Sequence, residues 1–95
     1  MGVLKLLTKE LEKRFTELKV GNQDVICKFF TPWTGWTWYA TEYSNGVFFG
    51  LVNGLEKEYG YFSLAELEKV TGPGGLKIER DLYWTERDVK EVEDD

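Results

Sequence analysis

Apolar and polar residues change period along this chain. Near the start, Leu4, Leu7, Leu11, Phe15 and Leu18 recur at spacings of three and four, the period of one face of a helix. Lys9, Glu10, Glu12, Lys13, Arg14 and Glu17 fill the other side with mixed charge. The pattern predicts an amphipathic helix over 3–19, in an N-terminal unit 1–22 closed by Gly21. From residue 24 the helical spacing is lost, and β-branched and aromatic residues dominate. Residues 24–30, 36–43, 47–52 and 55–61 read as strands, separated by a Thr31-Pro32-Trp33-Thr34-Gly35 loop and by Asn45-Gly46 and Asn53-Gly54. Asn-Gly favours a type I′ hairpin turn, in which both central residues need positive φ, so 23–62 is expected to be an antiparallel meander. Ser63-Leu64-Ala65-Glu66 is a capping box opening a short helix over 63–71, with Leu64, Leu67 and Val70 inward. Thr71-Gly72-Pro73-Gly74-Gly75 stops it. Residues 76–84 are expected to be extended, as a fifth strand or a crossing segment; 86–95 is an acidic tail in which Thr85 with Asp88 could cap one more helical turn and Glu91–Asp95 frays. The fold class is therefore α+β: one domain, a meandering antiparallel sheet of four to five strands, the N-terminal helix on one face, and a second short helix.

Two-residue turns would fix the register. Ser44 then pairs with Val47, Glu42 with Phe49 and Ala40 with Leu51. Across the second turn Val52 pairs with Leu55, Leu51 with Glu56 and Phe49 with Glu58. A five-residue first loop sets Phe30 opposite Trp36 and Lys28 opposite Trp38. By alternation, Val25, Cys27, Phe29, Tyr39, Tyr43, Phe48, Val52, Leu55 and Tyr59 share the core face under the first helix. The opposite face collects Ile26, Lys28, Phe30, Trp36, Trp38, Ala40, Glu42, Phe49, Leu51, Glu56 and Glu58. Tryptophans and carboxylates on one sheet face make a candidate binding surface, assigned to Trp36, Trp38, Glu42, Phe49, Glu56, Glu58 and Arg80. The plainer reading pairs Glu58 with Arg80 and Glu42 with Lys28 as ordinary cross-strand ion pairs.

Composition narrows the chemistry. The 95 residues carry 17 acidic and 12 basic side chains, a net charge of -5, which argues against a nonspecific grip on nucleic-acid phosphates. There is no histidine, so His-based triads and zinc sites are excluded. A single cysteine, Cys27, permits no internal disulfide, fits a reducing cytoplasm, and reads as a small buried hydrophobe. Residues 1–7 are too short an apolar run for a signal peptide, and no run is long enough to span a membrane. Aromatic residues make up 16% of the chain; three of four Trp, four of five Tyr and five of six Phe lie in 29–62. A domain this small cannot bury all of them.

The blocks Phe29-Phe30-Thr31-Pro32, Trp36-Thr37-Trp38-Tyr39, Phe48-Phe49-Gly50-Leu51-Val52, Gly60-Tyr61-Phe62-Ser63-Leu64-Ala65-Glu66-Leu67 and Ile78-Glu79-Arg80-Asp81-Leu82-Tyr83 give the chain a family resemblance. It resembles the family catalogued as domain of unknown function 2958, carried by plasmids, phages and integrative elements of bacteria. The resemblance implies an accessory protein of a mobile element. It brings no activity, cofactor or site residues.

Three functions compete. The first is a non-enzymatic module that docks a protein partner on the aromatic and acidic face, with no cofactor. The second is a single-stranded nucleic-acid binder that stacks bases on Trp36, Trp38 and Tyr39, with Lys28, Lys57, Lys77 and Arg80 at the phosphates. The third is a carboxylate enzyme using Glu42, Glu58, Glu79 or Asp81, with Mg²⁺. Missing catalytic motifs and the acidic balance favour the first.

Overall fold

A computed structural model describes residues 5–94 of the chain. Leu4 of the expected stripe and Asp95 of the tail lie outside the described residues. The order of elements is α1 (Lys9–Thr16), β1 (Asp24–Val25), β2 (Cys27–Phe30), β3 (Thr37–Ser44), β4 (Val47–Asn53), β5 (Lys57–Ser63), α2 (Leu64–Lys69), β6 (Glu79–Arg80), β7 (Arg87–Asp88) and α3 (Lys90–Glu93). The main sheet is antiparallel, in the order β5-β4-β3-β2-β6, and β1 pairs separately with β7. The α+β class and the meander are as the sequence predicts.

The first helix is shorter than its apolar stripe. Thr8 stands in extended conformation at its N-cap and accepts a hydrogen bond from the Leu11 N–H at 3.1 Å. That satisfies an orphan donor and fixes the start at Lys9. Leu6 precedes the helix yet is buried. At the other end the Leu18 N–H reaches back only to the Phe15 carbonyl. The second helix has the expected cap, the Ser63 hydroxyl accepting from the Glu66 N–H at 3.3 Å. Leu67 is buried, whereas Val70, expected inward, is exposed.

The Asn45-Gly46 turn forms as its residue types demand, with φ of 49° and 85°. Ser44 pairs with Val47 and Glu42 with Phe49. Beyond that the register departs from expectation at three places. A bulge at Thr41 sets Ala40 opposite Gly50 instead of Leu51. The extra residue is held by its own hydroxyl, which donates to the Phe49 carbonyl at 3.1 Å, and by the Asn22 amide, which donates to the Thr41 and Asp24 carbonyls at 2.8 Å each. The first loop is one residue longer than expected, so Phe30 faces Thr37, not Trp36. The second hairpin closes with Asn53 opposite Lys57, so Phe49 faces Tyr61, not Glu58. There Gly54 is not in the left-handed region. It is needed because the Trp36 ring lies on it: a Cβ would sit 2.4 Å from ring atoms.

Each of the two loop slips is an odd number of residues, so it turns a strand over. One face of the sheet packs under α1 and α2, with Phe15, Cys27, Phe29, Ala40, Phe48, Phe62 and Leu67 in its core and Trp38, Tyr43 and Val52 against it. The other carries Val25, Tyr39 and Leu51 beneath Val89, Val92 and Trp84. Val25, Tyr39 and Tyr59 are thus not under the first helix, and Ile26, Trp38, Ala40 and Glu58 are not opposite it. Leu55 is in the exposed β4–β5 turn. The 76–84 segment gives a strand of only two residues, after which the chain turns at Asp81. As far as Asp94 the tail does not fray. The Trp84 indole donates to the Val25 carbonyl at 2.9 Å, the Arg87 guanidinium lies 4.4 Å over the Trp84 ring, and Val89 and Val92 are buried. This tail gives the sheet a second covering layer, but a short one.

Candidate functional site

The tail layer reaches β5 through Glu93, at Tyr59 and Lys57, and the part of that face beyond this contact is exposed and aromatic. Phe49, Tyr59 and Tyr61 project there from paired strands. Phe49 and Tyr61 meet edge to face at 5.0 Å between ring centroids; Phe49 and Tyr59 are near-parallel at 6.3 Å. Such geometries add to plain area burial. Phe49 is half-buried, but Tyr59 is 47% and Tyr61 78% exposed. Between these rings, the 21–23 turn and α3 lies a cleft of about 200 Å³, lined by Asn22, Glu42, Phe49, Tyr59, Lys90 and Glu93 among others.

The Asn45-Gly46 turn pairs Glu42 with Phe49, and the extra residue at Thr41 lets that pair lie on the open face while Ala40 packs on the helix side, a common use of bulges beside binding sites. Glu42 is half-buried, and its carboxylate makes no hydrogen bond or ion pair among the described residues. Across the cleft the Glu93 carboxylate accepts from the Tyr59 hydroxyl at 2.5 Å, and the Glu93 carbonyl accepts from the Lys57 ammonium at 2.8 Å. The site therefore offers an aromatic floor, one unengaged carboxylate, a second carboxylate tied to a tyrosine, and the exposed Lys90 at the rim.

Partial desolvation, then donation to Glu93, pushes the Tyr59 hydroxyl up to about 12 from its ordinary 10.0. A raised tyrosine value means that folding favours the neutral form. The contact contributes fully below pH 10.0 and is lost as pH rises towards 12. A spectrophotometric titration is expected to show a tyrosinate appearing near pH 12 that is missing from Tyr59→Phe.

The residues assigned from the sequence do not assemble as expected. Glu42 and Phe49 share the open face. Trp36, Trp38 and Glu58 fall on the helix side, because the β2–β3 and β4–β5 loops differ from the expected lengths. Trp36 packs on Trp38 at 5.9 Å and is 37% exposed. With Val52, Leu55, Glu56 and Glu58 it borders a broad shallow depression. Arg80 is at the other edge of the sheet from Glu58 and donates to the Lys5 carbonyl. Lys28 is 4.0 Å from Asp81, not paired with Glu42. Neither expected ion pair forms.

The alternative sets are dispersed too. Tyr39 is on the opposite face from Trp36 and Trp38, buried against Trp84, so the three offer no common stacking platform. Glu42, Glu58 and Glu79 lie on three different strands. Among the described residues no cluster of three acidic or cysteine side chains converges. Cys27 is buried, which pushes its thiol up to about 12, as a core residue and not a nucleophile. Tyr59, Tyr61 and Glu93 were missed. Tyr61 is visible only once the second loop length is known, and Glu93 only once the tail is seen to dock.

A family model described as Protein of unknown function (DUF2958) matches residues 4–90. No curated protein and no solved structure matches the chain.

Proposed function

The chain belongs to the DUF2958 family, whose description names no activity, and on the geometry above we propose that this member is a non-enzymatic protein-binding module. Its docking surface is the Phe49, Tyr59 and Tyr61 face with Glu42 and Glu93, and its partner presents basic side chains. The observation that carries the reading is the exposure of Tyr61, stacked edge-on against Phe49 beside the unengaged carboxylate of Glu42. Aromatic rings of this kind supply large contact area at low entropic cost, and tyrosine is enriched among interface anchors. A half-buried carboxylate with no partner is an open position for a cation, and it favours a basic partner over an acidic one. The resemblance to proteins of mobile elements adds the setting: an accessory protein of a bacterial plasmid, phage or integrative element, acting in the cytoplasm. Among the described residues no helix is long and apolar enough to cross a membrane.

The test compares baits in the native host. Wild-type protein is expected to enrich a protein with a basic segment. Tyr61→Ala should lose it, Glu42→Gln should weaken it and flatten its salt dependence, and Trp36→Ala should retain it. The wild-type, Tyr61→Ala and Glu42→Gln baits should unfold at similar denaturant concentrations, since Tyr61 and Glu42 support no core contact, and Trp36→Ala should unfold somewhat earlier but still cooperatively, since its ring packs on Trp38 and Gly54. Capture that survives Tyr61→Ala and Glu42→Gln but fails in Trp36→Ala would move the docking surface to the helix side.

A further inference from the structure

The open face ends at an open edge. β5 is the outermost strand of the sheet, and the direction of its peptide groups follows from two hydrogen bonds just outside the β4–β5 ladder. The Leu64 N–H donates to the Gly46 carbonyl at 2.9 Å, and the Gly54 N–H to the Glu56 carbonyl at 3.1 Å. Both pairs continue the register that sets Phe48 opposite Phe62 and Gly50 opposite Gly60. In an antiparallel ladder hydrogen-bonded and non-hydrogen-bonded pairs alternate. Glu58, Gly60 and Phe62 therefore direct their peptide groups at β4, while Tyr59, Tyr61 and Ser63 direct theirs away from the sheet. Among the described residues nothing bonds to the outward groups of Tyr59 and Tyr61, while the Ser63 carbonyl opens α2. The same three residues place their side chains on the open face.

Such an edge is a template for another strand, and native sheets usually block it with proline, a bulge or inward charge. β5 has none of these along Tyr59, Gly60 and Tyr61. Gly60 adds room, since a Cβ there would meet nothing within 4 Å on the helix side.

Resting on the docking reading above, we propose that β5 accepts an extended segment of the partner as a sixth strand. The segment alternates basic and apolar residues. Residues opposite Tyr59 and Tyr61 have their side chains on the open face, where arginine or lysine lies along the tyrosine rings and faces the Glu93 carboxylate held by Tyr59. The residue opposite Gly60 points to the other face, where an apolar side chain covers the glycine. Main-chain bonds give affinity in this mode, and alternate side chains give specificity. Charge favours this occupant over a second copy of the chain. A copy of β5 would set tyrosine against tyrosine and bring together two chains of net charge -5.

The test uses the purified chain and a fluorescein-labelled peptide of alternating arginine and valine, 7 residues long to match β5, read by fluorescence polarisation. Binding is expected to be saturable and to weaken by at least about tenfold when arginine is replaced by glutamate. A similar loss is expected when the peptide nitrogens facing β5 are methylated. The Tyr59 and Tyr61 amides should exchange more slowly with the unmodified peptide present. If the methylated peptide binds as tightly and Tyr61→Ala still abolishes binding, strand addition is wrong and the docking reading stands. If no peptide binds, strand addition is likewise wrong, and the bait comparison decides the docking reading by itself. A concentration-dependent dimer that protects the same amides without peptide assigns the edge to a second copy and overturns the proposal.

Discussion

Phe48→Ala is expected to lower the unfolding free energy by about 3–5 kcal/mol, the range for truncating a fully buried phenylalanine. Phe48 is 0% exposed. Its ring meets Tyr43 at 4.8 Å, Phe29 at 5.2 Å, Phe62 at 5.4 Å and Phe15 at 5.9 Å, so it joins four strands and α1. Removing it leaves a cavity whose walls are fixed by the sheet backbone on one side and by α1 on the other, and neither can close in easily. Phe15→Ala, which removes the same contact from the helix side, is expected in the same range. The two losses should not add, because the residues touch. Chemical denaturation of the two single variants and the double variant measures this. Unchanged midpoints would mean that the helix packs elsewhere.

Gly50→Ala is expected to be at least as damaging for one added carbon, with a loss of about 3 kcal/mol or more, the upper end for overpacking. A Cβ at Gly50 would lie 1.8 Å from the Tyr39 carbonyl oxygen and 3.1 Å from the Ala40 Cα. These are backbone atoms of the neighbouring strand beside the Thr41 bulge, so no rotamer change relieves the clash. β3 and β4 would have to separate at this point. Because the bulge aims Glu42, the variant should also disturb the open face, seen as amide shifts at Glu42 and Phe49 in a heteronuclear spectrum. Stability and spectrum both unchanged would show that the bulge is not as described.

The elements of this fold are legible in the sequence to the extent that local chemistry determines them. Asn45-Gly46 states its turn, its two-residue length and the pairing of Glu42 with Phe49. Ser63-Leu64-Ala65-Glu66 states a helix start. What fails is register, which rests on loop length and on distant contacts. Gly54 reads as a turn glycine, but its role is to admit the Trp36 ring from another strand. Thr41 gives no local sign of a bulge; the Asn22 amide that holds its carbonyl comes from far back in the sequence. Thr8 interrupts an apolar stripe that reads as continuous, and Leu6 and Leu7 go on packing without being helical. Val89 and Val92 sit among charged neighbours that mask a buried pair. The general character of the site, aromatic rings beside carboxylates on an open sheet face, survives these errors. Its membership does not: Phe49 and Glu42 remain, and Tyr59, Tyr61 and Glu93 replace the tryptophans.

A photoreactive phenylalanine analogue placed at position 61, and separately at position 36, tests the central claim most directly. Both sites have surface exposure, on opposite sides of the sheet. Irradiation in the native host is predicted to link a partner protein through position 61, at a basic segment identified by mass spectrometry, with no adduct through position 36. An adduct through position 36 alone, or through neither position, would contradict the account.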